Sequence, residues 1–451
     1  MATLSNDVVG ETVVTLCLLR VPFASHGSAA AVCRKWRDIL KTTQFLAARR
    51  SGGFSEHALY VCGGKNGVSG APKMEGWLRV GETWHPCRVP ARAPRQYQFE
   101  SNDLTAVDIG NGKAAFVGYD DCVKIYDVKQ DSWTNLPRMR TARFEPVFAF
   151  VKNTLVVVSG RESSRIGSRI LSTGETYDFV SQTWSAMPDI PIPLYSPSVG
   201  VIGDKVYVAG GMNSNDYEWD SPVNPYVDPD QDSNGVLNVL QVYCSTSRTW
   251  KLKKRMRDAR FATATAVRDG KLHVIGGEIY MPDDGQIYTC SAATFYCPEE
   301  GVDSGPEAAV ADTWYWGPYL PSRRVCAAAC VWNDSIVLFG SGSTQNPMPP
   351  LINGIDADKW DWKNAHEFSD FFTDTDSDPE VRRRRTRRIL DADSSDSVDT
   401  DDERWWDRRT ESETSERAGR RRTRRAWRVF RGCPAAIHEI SAPAVVSLEL
   451  G

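Results

Sequence analysis

Four tryptophans in this chain are each followed, 27 residues later, by a small residue that closes an apolar run: Trp133 by Gly160, Trp184 by Gly211, Trp250 by Gly277 and Trp314 by Ser341. The runs, 155–158, 206–209, 272–275 and 336–339, are short, β-branched or aromatic, and bounded by Gly, Asn and Asp, so they read as strands. A second ruler runs backwards: Tyr126, Tyr177 and Tyr243 each precede their tryptophan by seven residues, and Trp77 and Trp84 keep the same spacing. Between the rulers, length varies freely: 24 residues from Gly160 to Trp184, 39 from Gly211 to Trp250 and 37 from Gly277 to Trp314. One connection per unit tolerates insertion and the rest does not, as expected of surface loops on a rigid scaffold. Self-similarity of this kind implies stacked supersecondary units that bury their apolar faces against one another.

Two further runs, 59–64 and 114–118, bring the units to six. A period near 50 residues with about four strands per unit fits a β-propeller blade. The small doublets suit turns that need positive φ. The recurring Tyr and Trp suit wedges between blades, where the ring is buried and its polar edge finds a partner. Taken together, the hydrophobic-Gly-Gly, Tyr-x6-Trp and Trp-x9-Arg patterns resemble the kelch-repeat family over residues 59–342 and part of the C-terminus. Blade two departs from the pattern with Gly118-Tyr119, and the last blade with Gly340-Ser341. The fold expected is mainly β: a six-bladed propeller.

Residues 4–46 have helical character instead. Ala29, Val32, Cys33, Trp36 and Leu40 fall on one helical stripe, and the apolar stretch ending at Val21-Pro22 reads as a preceding helix stopped by proline. Leu4, Asp7, Leu18, Val21-Pro22, Val32-Cys33-Arg34-Lys35-Trp36, Leu40 and Phe45 resemble the F-box pattern, with Ser5 where its first proline is usual. An ordinary helical hairpin packed on the propeller is the alternative. An F-box followed by kelch repeats is the arrangement of a plant protein family. That resemblance implies that Leu4, Asp7, Leu18, Val21, Pro22, Val32, Cys33, Trp36 and Leu40 serve a Skp-type adaptor and, through it, a cullin–RING core.

The net charge of −4 over 451 residues argues for neither nucleic acid nor membrane, and 11 cysteines without a Cys-x2-Cys pair read as reduced thiols of a cytoplasmic or nuclear protein. No basic residue precedes the apolar stretch 13–19, so no secretory leader is expected, and no run is long enough to span a bilayer. Residues 364–432 hold 17 Arg and 17 Asp plus Glu in blocks of like sign, which predicts disorder for lack of a core. Ser394, Ser395, Ser397 and Thr400 lie among acids and could be phosphorylated, and the Arg runs could serve nuclear import; a solvated insertion with neither role is equally open. The organisation expected is an F-box-like segment over 1–50, blades over 55–363 and a charged insertion over 364–426. Residues 427–451 are expected to supply a last-blade strand and a strand that closes the ring on blade one.

With strands a to d running outward in each blade, the doublet ends strand b, so the b–c and d–a connections share one face. Arg143, Arg260 and Arg324 follow their tryptophans by ten residues and start from that face, with Arg95 a near equivalent and Leu194 breaking the series. The b–c loop over 212–236 adds Tyr217 and Trp219 among acids. In kelch receptors of acidic motifs, arginines from this region pair with target carboxylates. The competing role is structural, each arginine binding backbone carbonyls. The first reading predicts lost capture at unchanged stability, the second lost stability. Catalysis has little support. A copper–radical site would need clustered Tyr, Cys and His, yet of six His only His273 is expected in a blade strand, and no nucleophile elbow, phosphate loop or zinc-protease motif occurs. No cofactor is implied. The reading is a ubiquitin-ligase substrate receptor, the alternative a kelch scaffold without ligase connection.

Overall fold

The computed structural model describes residues 6–54, 56–62, 65–66, 76–87, 105–118, 121–164, 167–214, 235–281, 286–298, 311–320, 323–340, 351–353, 427–429, 433, 440–441 and 444–450. The charged stretch 364–426, Leu4, Arg95, Tyr217 and Trp219 lie outside them.

Six antiparallel four-stranded sheets stand as blades. Blade two runs outward through Thr105–Gly110, Lys113–Val117, Val123–Asp127 and Ser132–Asn135, and blade three through Val147–Val151, Thr154–Val158, Gly174–Asp178 and Thr183–Met187. Blade four uses Ser198–Ile202, Lys205–Ala209, Leu240–Cys244 and Thr249–Lys253; blade five uses Ala264–Arg268, Lys271–Ile275, Ala293–Cys297 and Thr313–Trp316. In blade six, Ala328–Trp332 and Ser335–Phe339 are followed by Leu351–Asn353 and Trp427–Val429. Blade one is assembled from the first and last described strands of the chain: Ala444–Leu450 is innermost, then Glu56–Cys62, Gly76–Val80 and Thr83–Cys87. Its register runs Glu56 opposite Leu450 through Cys62 opposite Ala444. The six innermost strands touch in a closed ring.

Each gap between blades holds one apolar cluster. Between blades three and four, Val156 and Val158 meet Val206, Val208 and Tyr243, with Trp250 packed at the edge; between two and three, Ala115, Val117 and Ile125 meet Leu155, Val157, Tyr177 and Trp184. The Tyr-x6-Trp ruler is a cross-strand pair: Tyr126 faces Trp133, Tyr177 faces Trp184 and Tyr243 faces Trp250. The indole edges reach across the gap. Trp184 Nε1 donates to Pro137 O at 2.7 Å, Trp250 Nε1 to Pro188 O at 3.1 Å and Trp314 Nε1 to Lys254 O at 2.8 Å, each on the preceding blade.

Two readings of the rulers change. In blade one the hairpin turns tightly at Gly81-Glu82, so Trp84 faces Arg79 while Trp77 faces Pro86. The Trp77–Trp84 spacing is therefore not the repeat's cross-strand pair; Arg79 occupies the tyrosine position, its guanidinium 5.8 Å from the Trp84 ring. In blade five, Tyr296 faces Trp314 across a longer c–d connection, which stretches the seven-residue spacing and hid the pair from the sequence ruler.

The N-terminal segment forms four helices: α1 (Asn6–Leu19), α2 (His26–Val32), α3 (Arg34–Lys41) and α4 (Thr43–Ser51), with a 3-10 turn at Phe23–Ser25. The single helix expected through 29–40 is broken at Cys33, which is extended (φ −158°, ψ 165°) and caps α3 by accepting from Trp36 N at 3.5 Å. Leu18, Leu19, Ala29 and Phe45 form the helical core, and Val21, Trp36 and Leu40 pack against it. No helix among the described residues is long and apolar enough to cross a membrane.

Candidate functional site

The b–c and d–a connections meet on one face. The segment entering each of several blades pairs with that blade's own b–c connection: Phe144 bridges Arg161, Tyr195 bridges Met212, and Arg260–Phe261 joins the hairpin of Glu278–Met281 and Gln286–Thr289. Lys65–Asn66 pairs with Ile440–Ser441 in the same way on blade one.

The doublets make this possible. Ser159 and Gly160 have φ of 62° and 85°, Gly210 and Gly211 of 63° and 95°, Gly276 and Gly277 of 63° and 90°. A Cβ on Gly277 would lie 2.6 Å from Phe261 O, so only glycine admits the crossing chain. The second doublet residue then stitches to the next blade: Gly160 N donates to Leu194 O at 2.8 Å, Gly211 N to Arg260 O at 2.7 Å and Gly277 N to Arg324 O at 2.7 Å.

The arginine series lies beneath this stitching. Arg143, Arg260 and Arg324 are each 1% exposed. Arg143 Nη1 donates to Ser159 O at 3.2 Å and Thr173 O at 2.6 Å, and Nη2 approaches Glu175 at 3.6 Å. Arg260 donates to Ala292 O at 2.9 Å and pairs with Asp258; Arg324 donates to Gly340 O at 2.6 Å. Each guanidinium thus binds carbonyls in the b–c connection of the blade it enters. Burial pulls Arg143 below the usual arginine value, with Glu175 opposing, and pulls Arg324 down to about 10. The expectation that these three present themselves to a target is corrected here: their donors are buried and point into the blade. Where Leu194 breaks the series, Ser159 Oγ donates to Leu194 O at 2.7 Å and Gln241 holds Ile192 through both N and O at 2.8 and 2.9 Å.

Two residues beyond each series position, the chain turns into the central channel. Glu145, Ser196, Ala262 and Cys326 all have positive φ, of 48°, 52°, 50° and 50°. Their backbones form a girdle: Ser196 N donates to Glu145 O at 3.2 Å, Ala262 N to Ser196 O at 3.3 Å and Cys326 N to Ala262 O at 2.9 Å. These four line a cavity of about 220 Å³ with Thr105, Thr263 and other small residues of the inner strands. Beside the mouth, Arg161 lies 3.5 Å from Glu145 and 4.3 Å over the Tyr195 ring, its side chain 21% exposed. Arg161, Glu145 and Tyr195 were missed by the sequence rulers. Their signal is the two-residue offset from the arginine position and the residue after the doublet. Arg95 belongs by position to the connection between blades one and two, and Tyr217 and Trp219 to the b–c connection of blade four.

The helical module presents a second surface. Val13, Leu16 and Val32 are 54%, 49% and 64% exposed, and Cys17 and Cys33 are exposed too. Val13, Leu16 and Cys17 share one face of α1 by their spacing of three and four. Of the residues expected to serve an adaptor, Val32, Cys33 and Pro22 face solvent, whereas Leu18 is buried and Val21, Trp36 and Leu40 pack into the core behind. Asp7 lies in α1. Among the described residues no group of three or more His, Cys, Asp or Glu could hold a metal ion.

No protein-family model matches the chain. It is 27% identical over 222 residues to the F-box/kelch-repeat protein At1g67480 of Arabidopsis thaliana, covering 45% of this chain and 54% of that one. It is 24% identical over 300 residues to the Arabidopsis F-box/kelch-repeat protein SKIP30, covering 60% and 83%. A human protein, Kelch repeat and BTB domain-containing protein 12, is 25% identical over 41% of this chain and 27% of its own. The chain thus spans about half the length of the first of these relatives. Among solved structures, YjhT covers 65% of this chain at 11% identity and a TM-score of 0.46. A helical segment followed by a six-bladed propeller, with F-box/kelch-repeat relatives in Arabidopsis at 24–27% identity over about half the chain, makes this chain similar to the plant F-box/kelch-repeat proteins.

Proposed function

We propose that this chain is the substrate-recognition subunit of an SCF-type ubiquitin ligase. The helical module docks on a Skp-type adaptor, and through it on a cullin–RING core, while the propeller holds the target. The observation that carries this reading is that Val13, Leu16 and Val32 of the helical module are left exposed by the propeller, in a chain similar to F-box/kelch-repeat proteins. Covering such aliphatic side chains by a partner is favoured by the hydrophobic effect. The chain performs no bond chemistry; its contribution is proximity and orientation.

Target capture is assigned to the b–c/d–a face, with Arg161, Glu145 and Tyr195 at the channel mouth and Arg95, Tyr217 and Trp219 in its connections. The buried Arg143, Arg260 and Arg324 support that face from below. The test is co-purification with adaptor and cullin. Leu16→Asp with Val32→Asp should abolish adaptor binding while the melting temperature holds, because both side chains are exposed. Adaptor binding that survives this change, or a parent protein that recovers clients but no adaptor, would leave the scaffold reading.

A further inference from the structure

Arg49 stands at the junction of the helical module and the ring, 1% exposed. Its Nη1 donates to Leu19 O at 2.8 Å and Val21 O at 2.7 Å, at the end of α1 and the turn after it. Its Nη2 donates to Phe54 O at 2.7 Å and to Glu56 Oε2 at 3.1 Å. The same Glu56 oxygen accepts from Phe23 N at 2.5 Å. One guanidinium fork therefore satisfies carbonyls on the helical side and a carboxylate on the propeller side, in a geometry that a lysine's point charge cannot reproduce.

The surroundings reinforce the junction. Glu56 is the first residue of its blade-one strand and lies opposite Leu450 of the closing strand. Phe23 packs against the cluster between blades one and two, which includes Tyr60, Phe116 and Val446. Arg20 lies 5.1 Å over the Phe54 ring. Burial lowers the Arg49 pKa, with Glu56 opposing, so the cation is held by this partner.

We infer that Arg49 and Glu56 form a clamp that fixes the direction of the helical module relative to the propeller, making Arg49 a positioning residue for whatever is bound at the two ends. This rests on the ligase reading only for its consequence: a fixed direction confines ubiquitin transfer to acceptors in one zone. The clamp also joins the module to ring closure, because Glu56 is seated by the strand that the C-terminus completes.

The test uses the full chain with spin labels carried by a non-canonical amino acid at the positions of Lys35 and Val180, both exposed, because Cys17, Cys33 and Cys326 are exposed thiols. The parent should give one narrow distance distribution. Arg49→Met should broaden it at least twofold. Glu56→Ala should do the same while leaving Arg49 its bonds to Leu19 and Val21, which separates uncoupling from collapse of the helices. Parental width in the folded Glu56→Ala protein overturns the clamp.

The second readout is self-ubiquitination with purified adaptor, cullin–RING core and conjugating enzyme, mapped by mass spectrometry. Uncoupled variants should keep adaptor affinity, lose several-fold in rate and spread over more lysines, with Arg49→Lys intermediate. An unchanged lysine pattern overturns the positioning role. A parent that binds no adaptor overturns the ligase reading alone, and the distance distributions still decide the clamp.

Discussion

Burial decides what the repeat arginines do. Arg143 combines 1% exposure with two carbonyl bonds and a nearby Glu175, which itself accepts from Arg140 N and Thr141 N at 2.9 and 3.2 Å. Arg143→Ala removes the cation and leaves the carboxylate buried, so stability should fall by about 3–5 kcal/mol in denaturant titrations. Arg143→Lys should recover little, since one ammonium cannot span the same acceptors. A loss under 1 kcal/mol would contradict this structural role. His273 gives a second residue-scale prediction. Desolvation, followed by Arg268 and Lys271, lowers its pKa from 6.5 to about 4. The unfolded chain therefore takes up this proton first, so the stability tied to neutral His273 is complete above pH 6.5 and is lost as pH falls toward 4. His273→Gln should flatten the pH dependence of unfolding across that window, and an unchanged slope would place the titration elsewhere.

Within an element, backbone conformation explains which positions are free to vary. Gly277 at φ 90° lies under Phe261 O, whereas Gly203 at φ 61° has nothing near its missing Cβ. Gly277→Ala should cost roughly 2 kcal/mol or more, from strain plus displacement of the crossing chain. Gly203→Asn should cost under about 1 kcal/mol, since Asn tolerates this region. Paired thermal melts check the contrast, and equal losses would refute the close approach. The strands and their tyrosine–tryptophan pairs were legible because cross-strand facing requires a constant turn length. Where turn length changes, as at Gly81-Glu82 and between Tyr296 and Trp314, spacing misleads or falls silent. Helical periodicity failed similarly at Cys33: a stripe pattern continues through a residue whose extended backbone ends one helix and caps the next.

At the scale of the molecule, the first and last described strands share one sheet. Val445, Val446 and Leu448 of the closing strand are 6%, 5% and 0% exposed. Deleting residues 443–451 should remove about 5 kcal/mol or more of burial and bare the edge of Glu56–Cys62, giving a lower, less cooperative melt and self-association. A truncated chain that melts like the parent would contradict this closure. In blade six, Asn353 lies directly opposite Trp427, so the excursion over 354–426 leaves and returns at adjacent positions. Replacing it by a four-residue turn, the length between Asp127 and Ser132 in blade two, should keep the melting temperature within a few degrees.

The sequence by itself determined the repeat, the blade count, the strands that carry the tyrosine–tryptophan pairs of blades two to four and the apolar strand at the C-terminus. These follow from spacing and polarity, which local chain geometry enforces in every unit. Only the tertiary structure decided which way the arginines point, which helical residues stay exposed and which groups reach the channel mouth. Those outcomes depend on contacts between segments far apart in the chain: Arg49 with Glu56 across the module boundary, Gly277 with Arg324 across a blade gap, Glu145 with Arg161 across a connection. A side chain's burial is set by what folds over it, and no spacing within its own segment records that.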